Sequence, residues 1–537
     1  MNEKICIVGG GISGWLAAAY LSHHNPNIEI AVIESEKIPT LGVGESMVPI
    51  FGNMLDTFNI DKVKWLKDVN GILKYGNYFV GWNSEIEKTS VHDHWNADMN
   101  EKSFFGFSQT YRSRRFNRAM YCNHTDDDYL RDNNNSFGIS HGKSFDYLFH
   151  TYNDIENLSK YACEIYHFAL NNKTIFDNNE LMIGDFYSYA WHIDANLFPN
   201  VFKKISIQNN VKHINSKVVE VVFDKEIKNL KLENGETINS DLYLDCTGFH
   251  RLLMKAMDAK FLNINKSPVQ SGWVAHIKYK DKYEEMKPYT QSYANKNGWN
   301  FIIPLFNRMG SGYLFDDTCE DKQDAYDRFI KYWEGYEMLA EPRFLNWESG
   351  YYEESWNTNV VCLGNCFGFD DPLEASTIFV AQRGIEVLNT IIEKANTVNV
   401  SDRLKKTYSR KMSNTFLHIV NFIEYHYTMS KRKDSPMWIK CNKKGKEEDH
   451  VNKNWSMYRS PSSFTSINLY EDYLWAQTQL YLDRFTSEYK TQLEIDEELL
   501  PLAKIDFDYM DNKSFLMSNK SENVYEWMSK NIYGEEI

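Results

Sequence analysis

Residues 4–14 read KICIVGGGISG, a short apolar run that leads directly into a glycine-rich turn with G-x-G-x-x-G spacing. A helical pattern follows, and a second apolar strand over residues 28–33 ends at an acid. Such glycines allow a tight turn and a close approach to a pyrophosphate, while the acid binds a ribose hydroxyl. This favours dinucleotide binding over a bare structural turn. The predicted cofactor residues here are Gly9, Gly11, Ser13, Gly14 and Glu34.

A second segment indicates which dinucleotide is bound. Residues 239–249, NSDLYLDCTGF, place an apolar strand before Asp245 and Gly248. Flavoproteins that begin with the N-terminal fingerprint commonly return to the cofactor with such an acidic, glycine-ended strand. No second G-x-G-x-x-G follows a strand elsewhere in the chain. The sequence therefore predicts one FAD, with Asp245 and Gly248 among its contacts, and no dedicated nicotinamide site.

A third segment, residues 356–376, reads WNTNVVCLGNCFGFDDPLEAS and predicts a strand, a glycine-broken turn and a helix opened by Pro372. The apolar residues after it recur at spacings of three and four, as on one helix face: Ile378, Ala381, Ile385, Leu388 and Ile392. The N-terminus of such a helix suits an anion. Glu374, in the predicted first turn, is either a dipole cap or a group aimed at a substrate.

Composition limits the class of protein. The net charge of −15 argues against a nucleic-acid partner. No apolar run approaches the roughly 18 residues of a membrane span, and the first strand begins too early to leave room for a signal peptide. Eight irregularly spaced cysteines fit reduced thiols in the cytoplasm. Cys362 and Cys366 lack companions that would complete a metal site, so they are interpreted as packing residues.

Taken together, these segments resemble the flavin-dependent tryptophan halogenase family. Residues 41–49, LGVGESMVP, are similar to its GVGE-x-x-x-P loop beside the flavin and add Gly44 and Glu45 to the cofactor contacts. Other matching stretches are YAWHIDA at 189–195, GWNFIIP at 298–304, DPLE at 371–374 and the residues from His426 to Trp438. The resemblance extends to about residue 440 and fades beyond it.

The resemblance implies a specific chemistry. Reduced FAD, supplied by a separate flavin reductase, reacts with oxygen and a halide to give hypohalous acid. A lysine then directs electrophilic halogenation of an electron-rich ring such as tryptophan, an indole or a phenol. Lys74 matches that lysine, and Glu374 matches the carboxylate that assists it. Chloride, bromide and iodide all remain open.

The residues around Lys74 also predict its environment without reference to the family. Residues 71–82, GILKYGNYFVGW, predict one strand with period two that puts Lys74 on the face of Tyr78, Val80 and Trp82. A lysine on an apolar face is costly unless it is paired or neutralised. The ordinary alternative is a lysine that reaches the surface along its stem. The resemblance favours the catalytic interpretation.

Further site residues follow from the resemblance. Trp299 and Phe301 are expected to share one strand face and to wall off the flavin side, with Phe301 where the family has tryptophan. The family's E-S-T-G reads Glu-Ala-Ser-Thr here, so Ala375, Ser376 and Thr377 are predicted to contact the cofactor and the last two to bind halide. The predicted substrate pocket consists of Phe105, Phe107 and Trp455.

The predicted fold is α/β. An FAD-binding Rossmann-type module with an interleaved sheet is combined with a largely helical substrate module. Residues 1–440 are expected to form the halogenase core, and residues 441–537 a mostly helical extension on the substrate side. Two alternatives stay open: a flavin monooxygenase that hydroxylates an aromatic substrate, and a non-catalytic FAD-binding protein. A homo-oligomer is likewise left open.

Overall fold

The computed structural model describes residues 2–37, 42, 44–83, 89–97, 102–106, 151, 160–161, 163, 165–177, 180–181, 189–428, 430–447 and 500–535. The chain divides into two compact units. The first comprises Met1–Gly71, His192–Ser271 and Leu345–Ile423, and the second comprises Ile72–Trp191, Gly272–Phe344 and Glu424–Ile537. Each unit thus consists of three separate segments of the chain, and the segments of the two units alternate along the sequence. The boundary expected near residue 440 stays a prediction.

The described strands are numbered in chain order. They are β1 (Lys4–Val8), β2 (Glu29–Glu34), β3 (Glu45–Ser46), β4 (Ile72–Lys74), β5 (Gly76–Val80), β6 (Lys102–Gly106), β7 (Phe176–Asp177), β8 (Glu180–Leu181), β9 (Ala190–Ile193), β10 (Lys212–Asn215), β11 (Val218–Asp224), β12 (Glu226–Leu232), β13 (Thr237–Ile238), β14 (Leu242–Asp245), β15 (Phe261–Asn263), β16 (Ser271–Ile277), β17 (Thr290–Asn295), β18 (Gly298–Pro304), β19 (Met309–Phe315), β20 (Arg343–Asn346), β21 (Gly350–Tyr352), β22 (Trp356–Asn357), β23 (Val360–Cys362) and β24 (Gly368–Phe369).

The described α-helices follow the same convention. They are α1 (Ile12–His24), α2 (Gly52–Thr57), α3 (Val91–Trp95), α4 (Tyr166–Leu170), α5 (Phe198–Gln208), α6 (Leu252–Ala256), α7 (Lys282–Glu285), α8 (Lys322–Tyr332), α9 (Thr377–Ala395), α10 (Asp402–Thr428), α11 (Pro436–Glu447), α12 (Leu500–Lys520) and α13 (Val524–Met528). None of these helices combines the length and the apolar character that crossing a membrane requires.

A six-stranded sheet forms the centre of the first unit, in the order β10-β2-β1-β14-β23-β22. Neighbours from β10 to β23 run parallel, and β22 runs antiparallel at the edge. The apolar residues of β1 are buried, as expected for a parallel strand with both faces covered. Helix α1 packs against α5 and α9. The β1–α1–β2 start predicted from the glycine spacing is therefore confirmed.

Helix α9 presents the apolar face that its periodicity predicts. All five residues at the predicted spacings are buried: Ile378, Ala381, Ile385, Leu388 and Ile392. The late strand that ends in Asp245 is also present, because β14 pairs with β1 in parallel register. The N-terminal fingerprint and the two later segments thus belong to one sheet-and-helix core.

A seven-stranded mixed sheet forms the centre of the second unit, in the order β20-β16-β19-β18-β17-β5-β6. Strands β17, β18 and β19 are buried along their whole length. A strand covered on both faces lacks the polar–apolar alternation by which sequence reasoning detects strands. The sequence analysis predicted the strand with Trp299 and Phe301 and a strand over residues 71–82, but it did not predict the sheet that joins β18 and β5, so the second unit is less helical than predicted.

The single strand predicted over residues 71–82 is in fact two strands. Strand β4 ends at Lys74, and β5, but not β4, belongs to the seven-stranded sheet. Tyr75 separates them, because its backbone N–H donates to the carbonyl of Pro288 at 2.7 Å. The prediction that Lys74 shares a strand face with Tyr78, Val80 and Trp82 was wrong. The alternation of polar and apolar residues is a local pattern, so it cannot reveal a backbone hydrogen bond to a residue as distant in sequence as Pro288.

Helix α12 is held within the second unit by Asp511. His167 Nε2 lies 2.7 Å from Asp511 Oδ1, and Lys160 Nζ lies 2.8 Å from Oδ2. Burial favours the neutral carboxyl, but hydrogen bonds from His167 and Lys160 outweigh it and hold the pKa of Asp511 below its ordinary value of 3.8. A lowered folded-state pKa means that these contacts add stability above about pH 4, and that this stability is lost as the pH falls.

We expect Asp511→Asn to lower the free energy of unfolding by about 2 kcal/mol at neutral pH, because two charge-assisted hydrogen bonds are lost. The difference from wild type should shrink below about pH 4, where the wild-type carboxyl is protonated. Urea titrations at several pH values measure both effects. Asp508→Asn on the same helix is the matched control, since the Asp508–Lys504 pair is solvent-exposed and contributes little. Equal losses for the two variants would contradict the assignment.

Candidate active site

The glycine-rich turn between β1 and α1 leaves open space at its centre. Gly9 has a φ of +107°, and a Cβ at this position would overlap the carbonyl oxygen of Cys246. At Gly11, in contrast, a Cβ would meet no heavy atom within 4 Å. This space lies beside the N-terminus of α1, where unpaired amides and the helix dipole favour a phosphate. The turn therefore has the shape that a pyrophosphate needs.

The turn is fixed from a second side by the residues that follow β23. Gly364 has a φ of +60°, and a Cβ there would overlap the hydroxyl of Ser13. A Cβ on Gly14 would likewise overlap the carbonyl oxygen of Gly9, so that helix and turn are in close contact. Four of the predicted cofactor residues thus lie together at the turn and the start of α1: Gly9, Gly11, Ser13 and Gly14.

Asp245 supports the neighbouring turn. Its side chain is fully buried, and Oδ1 accepts hydrogen bonds from the Thr247 backbone at 3.1 Å and hydroxyl at 2.6 Å. Oδ2 accepts from the backbone N–H groups of Leu253 at 2.7 Å and Met254 at 3.1 Å. The carboxylate therefore fixes the turn that carries Gly248, whose φ is +59°.

Gly44 directly precedes β3, and Glu45 is the first residue of that strand. Gly44 is buried with a φ of +135°, and Glu45 pairs with Ile193 of β9. Burial raises the pKa of the Glu45 carboxyl to about 7. Glu45 therefore keeps its proton up to near neutrality, unlike an ordinary glutamate.

Asp371 organises the loop that precedes α9. Its Oδ1 accepts the backbone N–H of Leu373 at 2.8 Å, and its Oδ2 accepts the hydroxyl of Ser267 at 2.6 Å. Ala375 donates its N–H to the carbonyl of Pro372 at 3.0 Å and has a left-handed φ of +52°. These bonds close a tight turn that contains Glu374, whose exposed fraction is 5%.

The helix consequently starts later than predicted. Helix α9 begins at Thr377 with Ser376 as its N-cap, and no acidic residue lies in its first turn. The left-handed backbone at Ala375 cannot continue into a right-handed helix. The predictions that Pro372 opens the helix and that Glu374 lies in its first turn were wrong. The N-terminus with unpaired amides belongs instead to Ser376 and Thr377, the pair predicted for halide.

Lys74, at the end of β4, has an exposed fraction of 0%. The alternative of a lysine that reaches the surface is therefore wrong. Lysines are almost never fully buried unless they are paired, because desolvating an ammonium is costly. The burial of Lys74 is compatible with the catalytic interpretation that the resemblance favours.

One face of the seven-stranded sheet carries the predicted aromatic residues. The strand register puts Phe105, Phe79, Phe301 and Trp299 on the same face. The ring centroids of Phe79 and Phe105 are 5.0 Å apart, and those of Trp299 and Phe301 are 6.1 Å apart. A Cβ on Gly312 would lie 2.5 Å from the Phe301 ring, which therefore extends over this glycine. Trp299 and Phe301, the residues predicted to wall off the flavin side, thus lie on the same sheet face as Phe105.

Two further aromatic residues extend this surface. The Trp82 ring lies 5.8 Å from Phe79 and 6.2 Å from Trp299, and His426 stacks on Phe79 at 5.2 Å. Trp82 Nε1 donates to the carbonyl of Ser292 at 3.2 Å, which fixes the indole. Sequence reasoning gave Phe79 and His426 no pocket role, because the continuous apolar run at residues 78–80 gives no signal that singles out Phe79.

The other predicted pocket residues, Phe107 and Trp455, lie outside the described residues. Lys74 and the aromatic surface belong to the second unit, whereas Glu374, Ser376 and Thr377 belong to the first. Cys362 and Cys366 are buried free thiols, as their interpretation as packing residues requires. In the part of the chain that the structure describes, no group of three His, Cys, Asp or Glu residues could hold a metal ion.

Known proteins are similar to this chain in sequence. The family model described as tryptophan halogenase matches residues 4–494. The tryptophan 7-halogenase RebH of Lentzea aerocolonigenes is 25% identical over 499 residues, which cover 91% of this chain and 86% of the relative. The tryptophan 6-halogenase ThaL of Streptomyces albogriseolus is 27% identical over 85% of this chain and 82% of its own length.

The fold also matches solved structures. The crystal structure of the tryptophan 6-halogenase SttH from Streptomyces toxytricini superposes with a TM-score of 0.82 at 20% identity, covering 98% of this chain and 99% of that one. At this identity the likeness concerns the fold. It confirms the α/β architecture with a Rossmann-type cofactor module.

We expect Ala375→Gly to raise the free energy of unfolding by about 0.5–1 kcal/mol, because glycine adopts a positive φ without the strain of a Cβ. Ala381→Gly, inside α9, is the matched control and should lower it by about 1 kcal/mol. Urea titration of both variants measures the contrast. If Ala375→Gly destabilises as much as Ala381→Gly, the left-handed turn before α9 is not present in solution.

Proposed function

The chain belongs to the tryptophan halogenase family, and we propose that it halogenates an electron-rich aromatic substrate with reduced FAD, oxygen and a halide. The observation that carries this proposal is the family match over residues 4–494, which spans both structural units. The full burial of Lys74 fits this proposal, because a group that directs hypohalous acid needs to be shielded from water.

The residues of the first unit fit FAD. The open space at Gly11 beside the start of α1 suits the pyrophosphate, and Glu34 at the end of β2 suits the ribose. The residues proposed to hold the cofactor are Gly9, Gly11, Ser13, Gly14, Glu34, Gly44, Glu45, Asp245, Gly248, Ala375, Ser376 and Thr377. Bound there, reduced FAD supplies the reaction with oxygen and halide that yields hypohalous acid.

Lys74 is proposed to direct the electrophilic halogen to the substrate. Its ammonium or amine group either hydrogen-bonds hypohalous acid or carries the halogen as a haloamine. Burial keeps water away from this group, which limits hydrolysis and loss of the oxidant. Glu374 is proposed to assist Lys74, and the turn that Asp371 closes would hold its carboxylate in a fixed position.

The halide is proposed to bind at Ser376 and Thr377. These residues start a 19-residue helix, whose N-terminal amides and dipole favour an anion. Ala375 replaces a serine of the family motif, and Thr377 replaces its glycine. The choice among chloride, bromide and iodide therefore needs to be measured.

The aromatic surface of the second unit is proposed to border the substrate. Trp299 and Phe301 would separate the flavin side from the substrate, and Phe105 would contact the substrate ring together with Phe107 and Trp455. Stacked aromatic walls suit a flat, electron-rich ring. The relatives named above act on tryptophan, so tryptophan, indoles and phenols are the substrates to test first.

A separate flavin reductase is the proposed source of reduced FAD, and its contact with the enzyme would be transient. We also propose a cytoplasmic location, because the seven described cysteines are free thiols and such usage is typical of a reducing compartment.

We expect Lys74→Ala to lower halogenated product at least about 100-fold while reduced FAD is consumed at the wild-type rate, because the variant retains the cofactor module but not the directing group. The assay combines a flavin reductase, NADH and each halide with an aromatic panel, and reads product by mass spectrometry. Glu374→Gln should lower product less than Lys74→Ala does. Lys278→Ala, at an exposed lysine of the second unit, is the matched control.

Three outcomes would contradict parts of the proposal. Hydroxylated product that does not depend on halide would identify a monooxygenase instead. Equal product from wild type and Lys74→Ala would mean that free hypohalous acid does the work. Absence of FAD binding and of halide-dependent turnover in the wild type would indicate a family member that has lost catalysis.

A further inference from the structure

Glu34, at the end of β2, is in contact with side chains from three other elements. Lys203 of α5 donates to Oε1 at 2.6 Å, and Trp15 Nε1 of α1 donates to Oε2 at 3.1 Å. His213 of β10, the strand beside β2, has Nε2 2.8 Å from Oε1 without the alignment of a hydrogen bond. All four side chains belong to the first unit. The carboxylate is therefore held in one orientation.

The two carboxylate oxygens have different surroundings. Oε1 lies against Lys203 and His213, which leaves little room for another donor. Oε2 has Trp15 as its donor and lies directly over Gly10, because a Cβ on Gly10 would overlap it. A carboxylate oxygen has two lone pairs. Oε2 therefore keeps capacity for one more donor on the side of the glycine-rich turn.

Charge also favours a role for Lys203. A carboxylate next to a pyrophosphate-binding turn repels the phosphates, and the repulsion is strong where water is partly excluded. The Glu34 side chain is 18% exposed and the Lys203 side chain 29% exposed, so their attraction is only partly screened. The Lys203 ammonium also lies 5.1 Å from the Trp15 ring, which keeps it in place.

We propose that Lys203 is a positioning residue for FAD: it neutralises Glu34 and turns Oε2 toward a hydroxyl of the adenosine ribose. The inference rests on the proposed binding of FAD and adds the residues that make Glu34 competent for it. Lys203 acts through Glu34 and does not itself contact the reacting atoms.

The test is a double-mutant cycle on FAD affinity, read from flavin fluorescence in titrations of the full-length protein without substrate. Lys203→Met should raise the Kd for FAD about tenfold, as expected for the loss of a charge-assisted hydrogen bond. In the Glu34→Gln background the same substitution should change the Kd less than about twofold, since no carboxylate remains to be positioned. Lys203→Arg should stay within about threefold of wild type.

Two controls separate this role from general charge or structural effects. Lys204→Met removes an exposed lysine from the neighbouring position of α5 and should leave the Kd unchanged. FMN lacks the adenosine, so its Kd should not differ between wild type and Lys203→Met. A loss of FMN affinity equal to the FAD loss would overturn the inference.

The remaining outcomes are equally decisive. The same penalty in both Glu34 backgrounds would mean that Lys203 attracts the phosphates directly, which overturns the inference. An unchanged Kd in Lys203→Met, or failure of Lys203→Arg to retain affinity, would overturn it as well. A wild-type protein that does not bind FAD would overturn the proposed function and the inference together.

Discussion

The close backbone contact between Gly9 and Cys246 determines how the first unit is built. It allows β1 and β14 to run side by side and end at the same edge of the sheet, where the glycine-rich turn meets the turn fixed by Asp245. Gly364 closes the same corner from β23 by making room for Ser13. Three segments that are distant in sequence therefore pack closely around the glycine-rich turn. The space at Gly11 stays open, whereas the positions around Gly9, Gly14 and Gly364 are filled by neighbouring atoms.

The second unit is subject to a different constraint, because large aromatic rings have to pack closely on one face of its buried sheet. Phe301 is accommodated because β19 has a glycine, Gly312, directly beneath the ring. Pairing a large ring with a glycine on the adjacent strand fills space that two large residues would overfill. Trp82, whose indole N–H donates a hydrogen bond to the Ser292 carbonyl, lies at the edge of this aromatic surface. The aromatic wall is thus part of the core that stabilises the unit.

Sequence reasoning succeeded where local pattern and local geometry coincide. The glycine spacing predicted β1, α1 and β2, and periodicity predicted the buried face of α9. It failed where one long-range or side-chain bond decides the backbone. The hydrogen bonds of Asp371 and the left-handed backbone at Ala375 move the start of α9 past Glu374. The backbone hydrogen bond from Tyr75 to Pro288 divides the strand predicted over residues 71–82 into two. The partners of Glu34 were beyond reach because α5 and β10 become its neighbours only in the folded sheet.

The interleaving of the two units has a consequence for synthesis. The parallel sheet of the first unit needs β23, and roughly 350 residues separate that strand from β1. At about 5–20 residues per second on the ribosome, β1 and α1 exist for roughly 20–70 s before this last parallel strand of the sheet is made. During that interval the sheet lacks β23, and α1 lacks α9, one of the two helices that pack against it. The first unit therefore cannot be completed until two of the three stretches of the second unit have been synthesised, so the two units cannot fold strictly one after the other.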